Sequence, residues 1–351
     1  MHLYVDVSGH GFGHLAQTAP VLNALAARLP GLLLTLRCSL PRERIARRIR
    51  APFTHVSGAT DFGLVMKNAL EVDRAASLAA YRALHRDWAR RVEEEAEALA
   101  RLAPQLVLAN VSYLTLAAAR RANIPALAMS SLNWAAIADA YLNDEPGFAA
   151  IHAEMLDAYR AAQAFLRLTP GIPMPELESV VPVGPVAQPG RNLREILPPG
   201  QLVLVAMGGL PLRLPARWPR LPGVRWLVPR ASGLVRADVS FIEDTGLSVS
   251  DLIASVDAVV TKAGYGTFVE AAAAGTPLLY VERPDWPEEA ALTTWHGRVS
   301  RSRAVPRAAF EAGRFGDQVL EVLAGPRPAP VALTGIGKAA DFLARRLLAG
   351  T

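Results

Sequence analysis

The sequence predicts an α/β protein built from two Rossmann-like halves, and three observations carry the prediction. The chain opens as strand, glycine-rich turn and helix, in MHLYVDVSGHGFGHLAQTAPVLNALAARL at 1–29. The same grammar returns in TKAGYGTFVEAAAAGTPLLYV at 261–281. Between them, residues 170–200 crowd Pro170, Pro173, Pro175, Pro182, Pro185, Pro189, Pro198 and Pro199 with Gly171, Gly184, Gly190 and Gly200, which reads as a linker. A chain of 351 residues is long enough for two such domains, each with its own core.

The opening strand is the apolar run 3–7. Gly9, Gly11 and Gly13 then alternate with His10 and Phe12 before His14. After Pro20, Val21, Leu22, Leu25 and Leu29 fall at helical spacing, so the helix is expected there. A strand–turn–helix of this kind presents free N–H groups at a helix N-terminus, where an anion or polar ligand is held. Histidine is the side chain best suited to exchange a proton near neutral pH. The glycines spell G-x-G-x-G, not the dinucleotide fingerprint G-x-G-x-x-G, and no G-x-x-x-x-G-K-[ST] phosphate loop occurs. From spacing alone, a plain tight turn with solvated histidines stays equally open.

Strands follow at 32–36 and 53–56, with the short basic helix of PRERIARRIRAP between them. Residues 57–63 form a small polar loop containing Asp61, and 71–102 a long alanine-rich helical stretch. A buried strand at 106–109 ends at Asn110, a helix spans 114–122, and a strand at 126–129 ends at Ser130 and Ser131. Residues 136–165 are helical with a break at Pro146-Gly147. This alternation predicts a parallel sheet covered by helices, whose ligands lie beyond the C-terminal strand ends. The residues placed at that edge are Gly9–His14 with Asp61, Asn110, Ser112, Ser130, Ser131 and Asn133.

The second half begins with a strand at 202–206 and the turn Met207-Gly208-Gly209. Pro211, Pro215, Pro219 and Pro222 forbid a long helix directly after it. Short strands are expected at 224–228, 239–241 and 258–260, and a helix at 249–255. An acidic, proline-containing loop at 284–289 leads into a further helix, and 337–348 closes the chain as a helix after a proline-rich break at 326–330.

Composition bounds the function. Hydrophobic residues make up 51% and the mean hydropathy is +0.21, yet no run reaches the roughly 18 apolar residues of a membrane span. The N-terminus does not read as a signal peptide, and the single Cys38 fits a reducing compartment, so a cytoplasmic location is expected. A net charge of +5 with arginines clustered at 42–50 and 298–307 reads by default as a solvated basic face, with a weak contact with an anionic membrane face as the alternative. No nucleic-acid motif accompanies those arginines, so nucleic acid is not expected as a partner.

Two halves of this kind with a closing helix resemble the GT-B glycosyltransferases, and the likeness is carried by residues. Gly9–His14 (GHGFGH) and DFGLVMKNAL at 61–70, followed by Asp73, resemble blocks of the glycosyltransferase-like N-terminal domain of L-arabinokinases and their bacterial relatives. So do Lys262-Ala263-Gly264-Tyr265-Gly266-Thr267 with Glu270, Gly275-Thr276-Pro277, and Arg283-Pro284-Asp285 before Glu288-Glu289.

The resemblance implies two Rossmann-like domains facing a central cleft. The acceptor-side domain would span 1–184 with 337–351, and the nucleotide-sugar domain 185–336. It further implies a metal-independent, inverting transfer from a nucleoside-diphosphate sugar, UDP by default, to a hydroxyl of a small-molecule, lipid or glycan acceptor. No cofactor is implied. His14 would be the general base, with His10, Gly11, Gly13, Asp61, Asn110 and Ser131 on the acceptor side. Gly208, Gly209, Lys262, Gly264, Tyr265, Gly266, Thr267 and Glu270 would hold the diphosphate and ribose. Glu288 and Glu289 would meet the sugar, or equally form the acidic first turn of a helix after Pro287. Some relatives carry an aspartate where Asn110 stands; an asparagine orients the ring but does not stabilise an imidazolium as a carboxylate does. Two alternatives remain: a nucleotide-sugar hydrolase, since the hydrolase of pseudaminic acid biosynthesis has a similar loop, and a non-catalytic sugar-nucleotide binder.

Overall fold

A computed structural model of the chain describes residues 1–10, 12–209 and 212–349. It divides into two compact units, one of residues 1–67, 71–186 and 334–351, the other of 68–70 and 187–333.

In the first unit β1 (His2–Val7) leads to α1 (Phe12–Arg28), then β2 (Leu33–Cys38), α2 (Arg42–Ala46) and β3 (Thr54–Ser57). Next come α3 (Arg74–His85), α4 (Trp88–Leu102), β4 (Leu106–Asn110), α5 (Tyr113–Arg121) and β5 (Ala126–Ser130). The unit continues through α6 (Trp134–Leu142), α7 (Phe148–Arg160), β6 (Phe165–Arg167) and β7 (Val180–Pro182). All seven strands pair in parallel in the order β3-β2-β1-β4-β5-β6-β7.

The second unit runs β8 (Gln201–Ala206), β9 (Val224–Val228), β10 (Val239–Phe241), α8 (Val249–Ser255), β11 (Ala258–Lys262), α9 (Tyr265–Ala274) and β12 (Leu278–Val281). It ends with α10 (Glu289–Val299), β13 (Ser302–Val305), α11 (Arg307–Glu311) and α12 (Gly316–Ala324). Its parallel order is β10-β9-β8-β11-β12-β13. The last helix, α13 (Thr334–Ala349), belongs to the first unit, where Asp341 meets Arg28 of α1 at 2.7 Å.

Each sheet reverses its strand order once, between β1 and β4 and between β8 and β11. A ligand crevice opens at the carboxyl ends of the strands flanking such a switch point. The central strands read as continuous buried runs because helices cover both faces: Leu3, Val5, Val7, Val107 and Leu108 in one unit, Val203, Leu204, Val259 and Val260 in the other, all essentially without exposure.

Three local differences from the sequence reading have physical causes. The helix expected after Pro20 begins at Phe12 and continues through that proline. Burial of Leu15, Ala16, Ala19, Val21 and Leu22 on both sides of Pro20 offsets the one ladder bond it cannot donate. The helical stretch 71–102 is two helices, α3 and α4, each with an aspartate at its N-cap position, and Asp73 accepts from the Ala76 N–H. Strands β6, β7 and β13 were not anticipated. Each is three or four residues long, and pairing with a neighbour, rather than its own periodicity, makes it a strand.

Candidate functional site

The first constellation lies at the β1–β4 switch point. His14 occupies the first turn of α1 and is 6% exposed. Its Nδ1 donates to the Asn110 side-chain oxygen at 2.7 Å, at the end of β4. The amide orientation of Asn110 is set from behind: its nitrogen donates to Gln17 Oε1 at 3.2 Å. That oxygen also accepts from Ser130 at 3.2 Å, and the Gln17 nitrogen donates to Ser131 Oγ at 2.9 Å. Asn110 therefore turns its oxygen to His14, the Nδ1 proton is pinned, and Nε2 keeps its lone pair. Burial holds the imidazole down at about 4, against the opposing bond to Asn110. It is neutral at physiological pH.

Asp61 sits across from this ring, 8% exposed. Its Oδ1 accepts from Ser8 Oγ at 2.7 Å and from the Gly9 N–H at 3.1 Å, and its Oδ2 accepts from the Trp134 indole N–H at 2.9 Å. Burial first, and then the charge of Asp6, push its carboxyl up to about 7, against the Ser8, Gly9 and Trp134 bonds. Trp134 packs edge-on to His10 with centroids 4.9 Å apart, and tilted against His14 at 5.5 Å. His10 Nδ1 donates to the Phe62 carbonyl at 3.2 Å. Of the expected acceptor-side residues, the structure brings His10, His14, Asp61, Asn110 and Ser131 into one connected group. Gly13 lies in the first turn of α1, and Gly11 is outside the described residues.

Gly63 closes this group. Its φ is +67°, and a Cβ there would lie 2.6 Å from the Trp134 ring and 2.8 Å from His10 Nδ1. Gly63→Ala is expected to cost about 2 kcal/mol or more, from the left-handed backbone and from displaced rings. Urea unfolding followed by tryptophan fluorescence measures it.

The second constellation lies at the β8–β11 switch point. Gly264 precedes α9, whose first-turn amides belong to Tyr265, Gly266 and Thr267. Amides at this end of a helix have no intrahelical acceptor and favour a negative group. Glu270 sits one and a half turns in, 7% exposed. Gly208, at φ +84°, lies under the Lys262 side chain, 3.3 Å from its Cε to an added Cβ. Gly209 follows without regular structure, and 212–222 form no helix, as the prolines require. Lys262 is drawn down to about 8, chiefly by burial, then by the neighbouring Arg283 cation, with Glu288 opposing.

Glu288 and Glu289 open α10. Glu288 accepts from the Trp286 indole at 3.4 Å, and Glu289 from the Arg283 N–H at 2.6 Å. Arg283 stacks over Trp286 at 4.7 Å and donates from Nε to the Leu70 carbonyl at 3.1 Å. Register pairs Lys262 with Val281, so Arg283 leaves the sheet beside the lysine.

Three participants were not singled out from the sequence as site residues: Gln17, Trp134 and Arg283. Gln17 had a legible signal, as a polar residue three positions after His14 on a buried helix face. A surface hollow of about 470 Å³ lined by Leu221, Pro222, Arg236 and Asp238 precedes β9 and β10, at the strand edge opposite to the ligand edge. Among the described residues no three His, Cys, Asp or Glu side chains converge on one metal position, and no helix is long and apolar enough to cross a membrane.

No family model matches the chain. It is 27% identical over 304 residues to an L-arabinokinase of Arabidopsis thaliana, covering 81% of this chain and 28% of that protein, so it spans little more than a quarter of that relative. Among solved structures it is similar to the glycotransferase of kitacinnamycin, with a TM-score of 0.64 at 16% identity over 99% of this chain and 95% of the other. UGT89C1 of Arabidopsis thaliana gives a TM-score of 0.63 at 15% identity, covering 99% of each chain. UGT2 of Phytolacca americana, complexed with UDP-2-fluoro-glucose and pterostilbene, gives 0.58 at 16% identity, covering 99% of this chain and 94% of the other. The fold is that of the GT-B glycosyltransferases.

Proposed function

We propose that the chain is an inverting, metal-independent glycosyltransferase that moves a sugar from a nucleoside-diphosphate sugar to an acceptor hydroxyl. The observation that carries this reading is the pinned tautomer of His14. With Nδ1–H held by Asn110, Nε2 is the one ring atom able to take the acceptor's proton. The acceptor oxygen then attacks the anomeric carbon from the side opposite the diphosphate, and the sugar–diphosphate bond breaks with its electron pair on the leaving group. The α9 N-terminus and Lys262 are the groups suited to that developing charge. A carboxylate at Glu270 suits the paired hydroxyls of a ribose. The UDP-sugar complex of UGT2 supports UDP as the first donor to try. The exposed Arg42, Arg44, Arg47 and Arg50, on and after α2, support a further peripheral contact of the acceptor-side unit with an anionic membrane surface.

Ligand-observed NMR with UDP, GDP, dTDP, CDP and ADP tests the donor site. One diphosphate is expected to bind the wild type, and Glu270→Ala to weaken it about tenfold or more through loss of charge-assisted hydrogen bonds. No binding by any of the five, or equal binding by the variant, would remove the donor from this place.

A further inference from the structure

His14 has the geometry of a base but not the partner of a strong one. Among the described residues no charged side chain hydrogen-bonds to it. Its ring is held by a neutral amide, the amide by Gln17, and Gln17 by two serines. A proton arriving on Nε2 creates an imidazolium in a site from which water is largely excluded. An uncompensated charge there is costly, and Asn110 offers a dipole where a carboxylate would offer a charge.

One acidic group is linked to this ring through an indole. Asp61 Oδ2 accepts the Trp134 N–H at 2.9 Å, and the Trp134 ring lies against His14 with centroids 5.5 Å apart. The two ring planes are tilted by 57°, and at this separation the electron density of the indole bears on any charge that the imidazole acquires. A carboxylate accepting the indole proton pushes electron density into the ring, and polarisation along such a chain strengthens its far end. Among the described residues no cation pairs with Asp61: its hydrogen bonds come from the neutral donors Ser8, Gly9 and Trp134.

We propose that Asp61 supplies, through the Trp134 indole, the negative charge that stabilises His14 when it takes the acceptor's proton. Trp134 and Asp61 are positioning residues in this scheme; neither touches the substrate. The proton leaves the acceptor hydroxyl for Nε2, the Nδ1 proton stays on its bond to Asn110, and Asp61 neither gains nor loses one. The oxygen–carbon bond to the sugar forms as the sugar–diphosphate bond breaks. The inference rests on the transferase reading for its purpose, but its physical content, communication from Asp61 to His14 through Trp134, is testable without any substrate.

The groups facing Asp61 are few. Asp6 approaches from β1, and Tyr81 of α3, Tyr113 of α5 and Tyr159 of α7 feel its charge. Ser8, Gly9 and the α6 indole bond to it, and the His10 ring packs edge-on against that indole. The charge of Asp6 favours the protonated carboxyl, and the tyrosines are themselves held neutral, in part by Asp61. Burial likewise sets its midpoint near 7, so the charge on Asp61 comes and goes within an accessible pH range.

The experiment is an NMR titration of the full chain from pH 5.5 to 8.5, without ligand. It follows the Asp61 side-chain carboxyl carbon, the Trp134 indole N–H and the His14 ring C–H. Trp134→Phe identifies the indole signal by its loss. In the wild type all three signals are expected to move with one midpoint. In Asp61→Asn the indole and His14 signals are expected to stay still. In Trp134→Phe the Asp61 carbon is expected to titrate while the His14 movement falls at least threefold. Trp134→Phe keeps an aromatic ring in place and leaves the Ser8 and Gly9 bonds to Asp61 intact, so it decides the matter even where Asp61→Asn unsettles the loop. A His14 signal indifferent to the Asp61 midpoint, or one that follows it as far in Trp134→Phe as in the wild type, overturns the proposal. If the titration behaves as expected but His14→Ala retains full transfer, the transferase assignment of His14 fails and the coupling stands.

Discussion

His14→Ala is expected to lower kcat by about 10²- to 10⁴-fold, the usual contribution of a positioned general base, while leaving diphosphate affinity within about twofold of wild type. The two halves of the expectation come from different units. His14 belongs to the first, with Asn110 and Gln17 behind it, whereas the groups proposed for the diphosphate, Gly208, Lys262 and the N-terminus of α9, belong to the second. A fall in kcat with unchanged nucleotide binding is therefore the mirror image of the Glu270→Ala result. The measurement pairs nucleotide titration with turnover of the matching nucleotide sugar against an acceptor panel. Equal kcat in the variant would move the base elsewhere; sugar release with no acceptor, lost in the variant, would place water in the acceptor's role. Some stability goes too. Removing the ring leaves the buried Asn110 oxygen without its donor, at a cost of about 1–3 kcal/mol, so folding is checked beside activity.

How much of this was legible differs between fold and site for a physical reason. The central strands β1, β4, β8 and β11 announce themselves because a strand buried on both faces is an unbroken apolar run. β6, β7 and β13 carry Arg167, Pro182, Ser302 and Arg303 in three or four residues, and exist only through the ladder their neighbours offer. The site divides in the same way. His14, Asp61, Asn110 and Ser131 stand out as polar residues where strands end. Gln17 and Trp134 do not, because their roles depend on partners 114 and 73 positions away in sequence. Asn110 is the instructive case. Its place was readable, and so was the weakness of an amide beside a base. That the Trp134 ring, tied to Asp61, also lies against His14 became visible only in the folded chain, where the first residue of α6 meets the first turn of α1.

His296→Leu is expected to stabilise the protein increasingly as pH falls. His296 lies in α10, wholly buried, against the Phe268 ring at 5.3 Å between centroids, and neither ring nitrogen has a hydrogen-bond partner among the described residues. Burial alone draws its midpoint down from 6.5 to about 4. Between those two values the unfolded chain binds a proton that the folded chain refuses. Stability carried by the neutral ring is thus complete above about pH 6.5 and drains away as pH drops towards 4. Leucine is close in volume, leaves no broken hydrogen bond behind, and does not titrate, so at pH 7 the two proteins are expected to agree within about 1 kcal/mol. By pH 4 the variant is expected to lead by about 3 kcal/mol, the linkage free energy of a shift of that size. The comparison is a difference between two chains, so the opposing titration of Asp61, whose raised midpoint removes stability as pH rises, cancels from it. Urea unfolding of both proteins at four or five values between pH 7.5 and 4 checks it. A gap that stays constant across that range would mean that His296 finds a polar partner in solution, most simply a buried water, and titrates as an ordinary histidine.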